Sequence, residues 1–499
     1  MSTAPGIATD VETVDDKPRD IILEQAVLTL DDDTLHGAVS CPRRSRVWLK
    51  IDFLVLPVVT MIYLLACLDL ANIGNARIAG LQQKLGISDA QFSIAMTVAL
   101  IPPIALNIPS NYLMIIVGPH IFLPVILILL GLSSALQGVV TTYPAFIACR
   151  FFTGLFSGAL LPGLSIYLAC YYPRRMLQVR MAIMFTAIPC ATCTSGLIAA
   201  GIIHMDGVGH IPGYGWLFLL DGIACIIFGL ACIWVMPKGP TRISLLNEAE
   251  KLYVTHVLVE DDVATETNNL SPFWYEMRRV LAQPHVLCVA LRRFIAGHLF
   301  NQMSSFLPSI IAGMGFEGSK AQLMSVPPFI LGAIVSLLVA LVSDRYGHRG
   351  VTTSICAAIS SAGFAIYIAS DQTSLRYMSL FLAVPGSLCA WPALATWLVN
   401  NTAPIVRRTT AIAFSGTITQ FGGILSVWLY GTISAPPDYT SATVTLLAFQ
   451  IGVVICAMLC FVYLGSENRR KKLAREAYGE RPPHEVPVSN ESIWFEYVM

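Results

Sequence analysis

Residues 51–68 read IDFLVLPVVTMIYLLACL, eighteen positions with a single charge, Asp52. Apolar side chains stand on every side of a helix drawn through them, so no face is left for water. A helix of about 20 such residues covers the ~30 Å hydrocarbon core of a bilayer. The pattern recurs along the chain. Further apolar runs begin near Ala90, Phe122, Phe146, Val179 and Gly215, and six more near Val286, Leu323, Val351, Leu380, Thr409 and Ala442. With 12% charged residues among 499 and a mean hydropathy of +0.67, the composition excludes a soluble fold. The expected fold class is an all-α polytopic membrane protein of twelve transmembrane helices in two six-helix bundles.

Charge then orients the spans. With both ends of the chain cytoplasmic, the inner segments hold 26 of the 31 Lys and Arg. The outer segments hold only Arg77, Lys84, Lys320 and Arg376, and Arg150 lies within a span. Positive charge kept inside selects this orientation. The basic residues are scattered over loops rather than gathered on one face, so nucleic acid is not an expected partner. All cysteines except Cys41 fall in or beside apolar runs, which is the usage of a small hydrophobe and not of a disulfide framework. Cys190 and Cys193 form a C-x-x-C inside an apolar helix with no second pair, so packing is expected there rather than zinc or redox chemistry. No signal peptide is visible in the acidic first forty residues.

The chain divides accordingly: an acidic disordered cytoplasmic tail (1–46), an N-terminal six-helix bundle (47–236), a cytoplasmic linker with an amphipathic helix at the membrane surface (237–285), a C-terminal six-helix bundle (286–464) and a second cytoplasmic tail (465–499). Two bundles around a midplane site are the layout of alternating-access carriers. After the eighth run stands Asp344-Arg345-Tyr346-Gly347-His348-Arg349. An Asp and Arg at a helix end can bridge two helices, and Gly permits the tight turn between them. Asp344, Arg345, Gly347 and Arg349 are therefore candidates for a gating loop, set against an ordinary charged loop. The corresponding place after the second run, Met114-Ile115-Ile116-Val117-Gly118-Pro119, keeps the Gly without the charges.

Leu68-Asp69-Leu70-Ala71-Asn72-Ile73-Gly74-Asn75-Ala76-Arg77 is similar to the first-span signature L-D-R-S-N-I-G-N-A-K of the fungal allantoate permease family, in the anion:cation symporter branch of the major facilitator superfamily. Ile108-Pro109-Ser110-Asn111, Arg150-Phe151-Phe152, Leu161-Pro162-Gly163, Phe306-Leu307-Pro308, Val326-Pro327-Pro328, Trp397-Leu398-Val399-Asn400-Asn401 and Phe495-Glu496-Tyr497 continue the resemblance from about residue 45 onward. It implies the twelve-helix major facilitator fold and uptake of a small organic anion or vitamin, usually with protons. The departures are specific. Leu70 stands where the family has Arg, Ser157 where the fourth span has Glu, and Gly215 where the sixth-span entry has Arg before Asp221. Intramembrane charges are kept mainly for substrate or proton work, so these losses touch anion recognition and coupling.

Among the remaining polar residues, Arg150, Gly154 and Gly158 share one helix face at i, i+4 and i+8, where another helix or a ligand approaches closely. Arg150 reads either as a cavity cation that attracts an anion or as a structural Arg bonded to a neighbouring helix. His298, Gln302 and Ser305, with Asn301 beside them, make a polar stripe on the seventh run. His298 is a proton acceptor near neutral pH or a neutral interface His. Asn301 and Gln302 are expected to line the cavity. Arg292 and Arg293 are expected to snorkel to the cytoplasmic surface; the sharper alternative makes one of them an anion anchor. Asp69, Asn72, Ser157, Trp391, Trp397 and Gln420 complete the expected cavity wall. Pro102-Pro103 and Pro327-Pro328 are read as breaking helices at matching positions of the two halves.

The expected function is secondary active transport of a small organic solute, an organic anion or vitamin-like carboxylate, with proton coupling possible. An exporter or uncoupled facilitator is the alternative within that class; a nutrient sensor or a membrane enzyme is the alternative outside it. No nucleophile–base pair, metal cluster or nucleotide loop points to an enzyme. No cofactor is expected. The expected partners are the solute, protons and the lipid bilayer, with the protein a monomer in the plasma membrane or, alternatively, an organelle membrane.

Overall fold

The computed structural model describes residues 44–478 except 174–175, 203–204, 206, 261–277, 280, 282, 317–318, 347–348, 403–404 and 434–439, together with Ser492 and Tyr497. The apolar runs become helical spans. Spans 1 to 4 are Arg44–Ile78, Asp89–Val117, Pro119–Val139 and Tyr143–Tyr171. Span 5 is a pair of helices, Leu177–Phe185 and Ala187–Ile202, and span 6 is Gly213–Val235. Spans 7 to 12 are Pro284–Gly313, Ser319–Tyr346, Arg349–Ala369, Thr373–Asn400, Ile405–Trp428 and Thr440–Tyr478. Span 11 runs on as a π turn, Leu429–Ile433. Eleven spans are long and apolar enough to cross a membrane among the described residues. Span 7 fills the remaining place as a helix of 30 residues.

Local sequence sets the ends of these helices. Ser88 accepts from the Gln91 amide while the Gln91 side chain accepts from the Ser88 amide, a reciprocal cap that starts span 2. Gly118, at φ 89°, turns the chain between spans 2 and 3, and Pro119 follows at the first helical position, where no N–H is needed. The proline pairs behave differently from their sequence reading. Pro102-Pro103 and Pro327-Pro328 both lie inside continuous helices. Neighbouring helices can re-satisfy the backbone groups that proline frees within a membrane.

The two halves repeat one packing scheme. Spans 3 and 6, 2 and 4, and 1 and 5 lie together in the first half; 9 and 12, 8 and 10, and 7 and 11 lie together in the second. Lipid supplies no hydrophobic drive between helices, so small residues that admit close approach carry this packing. A Cβ on Gly154 would overlap the Ala99 carbonyl oxygen of span 2, and one on Gly422 would overlap that of Phe294 in span 7. The halves meet mainly through span 2 against span 11 and span 5 against span 8.

The linker helix Glu248–Glu260 packs on the face that carries the start of span 1, here termed the linker face. Its Tyr253, Val254 and Leu258 are buried. Tyr253 meets Trp48 edge-on, and Lys50 of span 1 pairs with Glu250 at 2.8 Å. Asp52 accepts two bonds from the Arg180 guanidinium, tying span 1 to span 5. Tyr167 and Tyr171 both donate to the Pro237 carbonyl. The linker's first part is thus built onto the first half, while its residues 261–277 lie outside the described residues.

Candidate functional site

Between the halves lies a cavity of about 140 Å³. Span 1 supplies Tyr63, Cys67, Asp69 and Leu70 to its wall; span 4 supplies Arg150, Thr153 and Ser157; spans 10 and 11 supply Trp391, Thr419 and Gln420. A second chamber of about 40 Å³ adjoins it, sharing Leu161, Thr419 and Gln420 and adding Asn107, Ser165, Arg293 and Gly416. An intramembrane space lined by residues of both bundles is where an alternating-access carrier holds its cargo.

One wall of the larger cavity is charged. Arg150 Nη1 lies 3.3 Å from Asp69 Oδ2, with both side chains buried. Ser134 Oγ donates to Asp69 Oδ1 at 3.0 Å and stands 3.5 Å from Asp221 Oδ2. Gln137 reaches the same Asp69 oxygen at 3.5 Å and donates to Thr153 at 2.8 Å. The Arg150 guanidinium also lies over the Phe146 and Phe218 rings, 5.5 and 5.3 Å from their centroids. Its Nε and Nη2 have no hydrogen-bond partner among the described residues. The guanidinium therefore faces Asp69, and Asp69 and Asp221 converge on one hydroxyl. Ser134 has a single proton to donate, so it cannot serve both acids as a donor at once.

The opposite wall is aromatic and cationic. Trp391 stacks on Phe185 of span 5 across the two halves, with centroids 6.0 Å apart, and Phe185 in turn meets Tyr63 edge-on at 5.6 Å. The Arg293 guanidinium lies 5.2 Å from the Trp391 ring. Here the structure corrects the expectation that Arg292 and Arg293 snorkel to the surface: they are 0% and 3% exposed. Both lie more than a turn inside span 7, and both find an indole face, Arg292 over Trp397 at 4.9 Å. Arg293 Nε and all three Arg292 nitrogens lack a hydrogen-bond partner among the described residues. No ion pair is found for either among the described residues.

Of the sequence candidates, Asp69, Arg150, Ser157, Arg293, Trp391 and Gln420 come together around the two cavities. Asn72 does not join them. Its Oδ1 accepts from Ser195, which itself accepts from Asn75, so Asn72-x-x-Asn75 fastens span 1 to span 5. Trp397 lies against Arg292 and Gly350, away from both cavities. His298 is packed between Phe449 and Tyr430 with Gly422 at its backbone, and neither cavity includes it. Asn301 and Gln302 lie on span 7, but their side chains are outside the described residues. In the loop motif, Arg345 is exposed and Gly347 lies outside the described residues, as do the side chains of Asp344 and Arg349. Immediately before it, Ser343 donates to Gln178 of span 5 at 2.9 Å, joining the halves on the linker face. On the far face Trp428 Nε1 donates to Thr97 Oγ1 at 3.1 Å.

Sequence reasoning passed over Asp221, Asn107, Ser134 and Tyr63. Asp221 carried a signal, being an acid within an apolar run. The others carry none that periodicity can isolate, because a single Asn, Ser or Tyr in a membrane helix is common.

A family profile described as Major Facilitator Superfamily matches residues 59–427. An uncharacterized transporter of Schizosaccharomyces pombe is 29% identical over 91% of this chain and 91% of its own length. The high-affinity nicotinic acid transporter of Saccharomyces cerevisiae is 26% identical over 97% of this chain and 90% of its own. Among solved structures, the proton:xylose symporter XylE aligns with a TM-score of 0.64 at 14% identity, covering 82% of this chain and 96% of that one. The human organic anion transporter MFSD10 aligns at 0.59 and 13% identity, over 81% and 99%.

Proposed function

Since the chain belongs to the major facilitator superfamily and is a transporter of small solutes, we propose that its solute is an organic anion anchored by Arg293 and moved with a proton held at Asp69 and Asp221. The observation that carries this reading is Arg293 itself, a buried cation at the inter-half chamber with no carboxylate paired to it among the described residues. A buried unpaired charge is costly, and an incoming anion compensates it. Arg150, by contrast, is already neutralised by Asp69. The body of the solute would lie in the larger cavity between Tyr63 and Trp391. An apolar cavity of about 150 Å³ is known to hold a benzene ring, so about 140 Å³ suits one small ring. The nicotinic acid relative, whose cargo is a small ring bearing one carboxylate, supports this size and charge.

Asp69 and Asp221 converge on the one hydroxyl of Ser134, which can donate to only one of them at a time. A proton on Asp221 lets that acid donate to Ser134 while Ser134 donates to Asp69. A proton on Asp69 instead loosens Arg150, whose free Nε and Nη2 then face the cavity's cargo. Either step links proton occupancy to the state of the anion site.

The test is uptake of labelled nicotinate and of labelled mandelate by the full-length protein in proteoliposomes, with and without a protonophore. Accumulation should follow an inward proton gradient and collapse with it. Arg293→Gln should cut uptake by about ten- to a hundredfold, the worth of one charge-assisted hydrogen bond. Asp221→Asn should leave exchange intact but make it indifferent to the protonophore. Normal uptake by Arg293→Gln overturns the anchor, and protonophore-insensitive uptake by the unaltered protein favours the facilitator or exporter instead.

A further inference from the structure

Resting on the reading of Arg293 as the anion anchor, we propose that the transported anion carries a hydroxyl or N–H donor next to its carboxylate, and that Asn107 recognises this donor. Asn107 belongs to span 2 of the first half, and Arg293 to span 7 of the second; both line the 40 Å³ chamber. Asn107 is 2% exposed, and its Oδ1 accepts no hydrogen bond among the described residues. Its Nδ2 lies against Gly416 of span 11, where a Cβ would stand 2.6 Å away. A glycine at 416 therefore leaves the amide the room it occupies.

Size and chemistry narrow the complement. One water-sized group needs about 10–15 Å³ of such space, so the chamber takes roughly three. A carboxylate on Arg293 fills two of these places with its oxygens and leaves one beside Asn107. The hydroxyl protons that line the chamber are already committed: Ser165 donates to the Leu161 carbonyl and Thr419 to that of Ser415. The unmet need is for a donor to reach Asn107 Oδ1. A methylene in that place would leave the buried oxygen unpaired, and a further anionic oxygen would repel it. A hydroxyl or amide N–H on the atom next to the carboxylate satisfies it. Because Asn107 and Arg293 come from different halves, such a ligand also holds the two halves together around itself.

Mandelate and phenylacetate test this, since they differ only by a hydroxyl on the carbon beside the carboxylate. Binding of each to the full-length protein is measured in detergent by calorimetry. Mandelate should bind about five- to tenfold tighter, the worth of one neutral hydrogen bond. In Asn107→Leu the ratio of the two affinities should fall to about one. Gly416→Ala, which displaces the amide without removing it, should also shrink the ratio, so the inference stays testable if Asn107→Leu does not fold. Arg293→Gln should weaken both acids alike. Equal binding of the two acids by the unaltered protein, with both lost in Arg293→Gln, overturns the role of Asn107 and spares the anion anchor. A preference for mandelate that persists in Asn107→Leu overturns it too. Failure of both acids to bind, or their unchanged binding by Arg293→Gln, overturns the anchor and this inference with it.

Discussion

Asp69 meets its ionic partner inside the membrane, and this makes the pair both sensitive and replaceable. Removing one member of a buried pair typically costs about 3–5 kcal/mol, because the other charge stays behind without compensation. Asp69→Ala should therefore lower the unfolding temperature in detergent markedly. Adding Arg150→Met should return most of that stability while transport stays lost, since removing both charges leaves no orphan. A double variant no more stable than Asp69→Ala would mean that Arg150 is held mainly by its aromatic neighbours Phe146 and Phe218. The same scale shows what a sequence discloses. Arg150 and Asp69 are legible as charges in apolar runs, but their mutual contact is not, because 81 residues separate them.

At the scale of elements, glycine decides which spans can touch. Gly154 faces the Ala99 carbonyl with no room for a methyl group. Gly154→Val should force spans 2 and 4 apart and cost about 1–3 kcal/mol or more, seen as loss of monodisperse protein on size exclusion. Gly201, which has open space around its position, should accept Ala with no such loss. The linker helix is held more gently. The Lys50 ammonium bonded to Glu250 holds that carboxyl below its usual range. A carboxyl with a depressed folded value adds stability above its unfolded value, about 4.3, and loses it as pH falls through the folded one. Acid below about pH 4 should thus free the linker helix, measured as faster amide exchange over 248–258. Glu250→Gln should show that faster exchange already at neutral pH, and the loss should stay under about 1 kcal/mol because the pair is partly solvated. That the linker carries an amphipathic helix is an expectation of the sequence. Its docking on Trp48 is not, since nothing in the periodicity says which surface receives the helix.

Across the whole molecule, hydrogen bonds join the two halves at both faces: Thr97 to Trp428 on one, Gln178 to Ser343 on the other. A rocking carrier must break one while keeping its opposite. Cysteines at 97 and 428, cross-linked, should stop uptake yet leave the cavity reachable by a thiol reagent from the linker face alone. Cysteines at 178 and 343 should reverse that access. Access from the same face in both cases would count against two alternating gates.

The apolar runs alone determined that this chain spans a membrane as helices, because lipid leaves the backbone no other way to satisfy its polar groups. They also placed the helix starts to within seven residues, and intramembrane charge marked Asp69, Arg150 and Arg293 as worth attention. Only the tertiary structure decided which of them share a space. Whether an arginine snorkels or turns inward depends on what the neighbouring helices offer, and here Trp391 and Trp397 offered ring faces to Arg293 and Arg292. Whether Asn107 matters depends on Arg293 and Gly416, which lie in the other half of the chain and stand beside it across the chamber. Sequence distance carries no record of that approach.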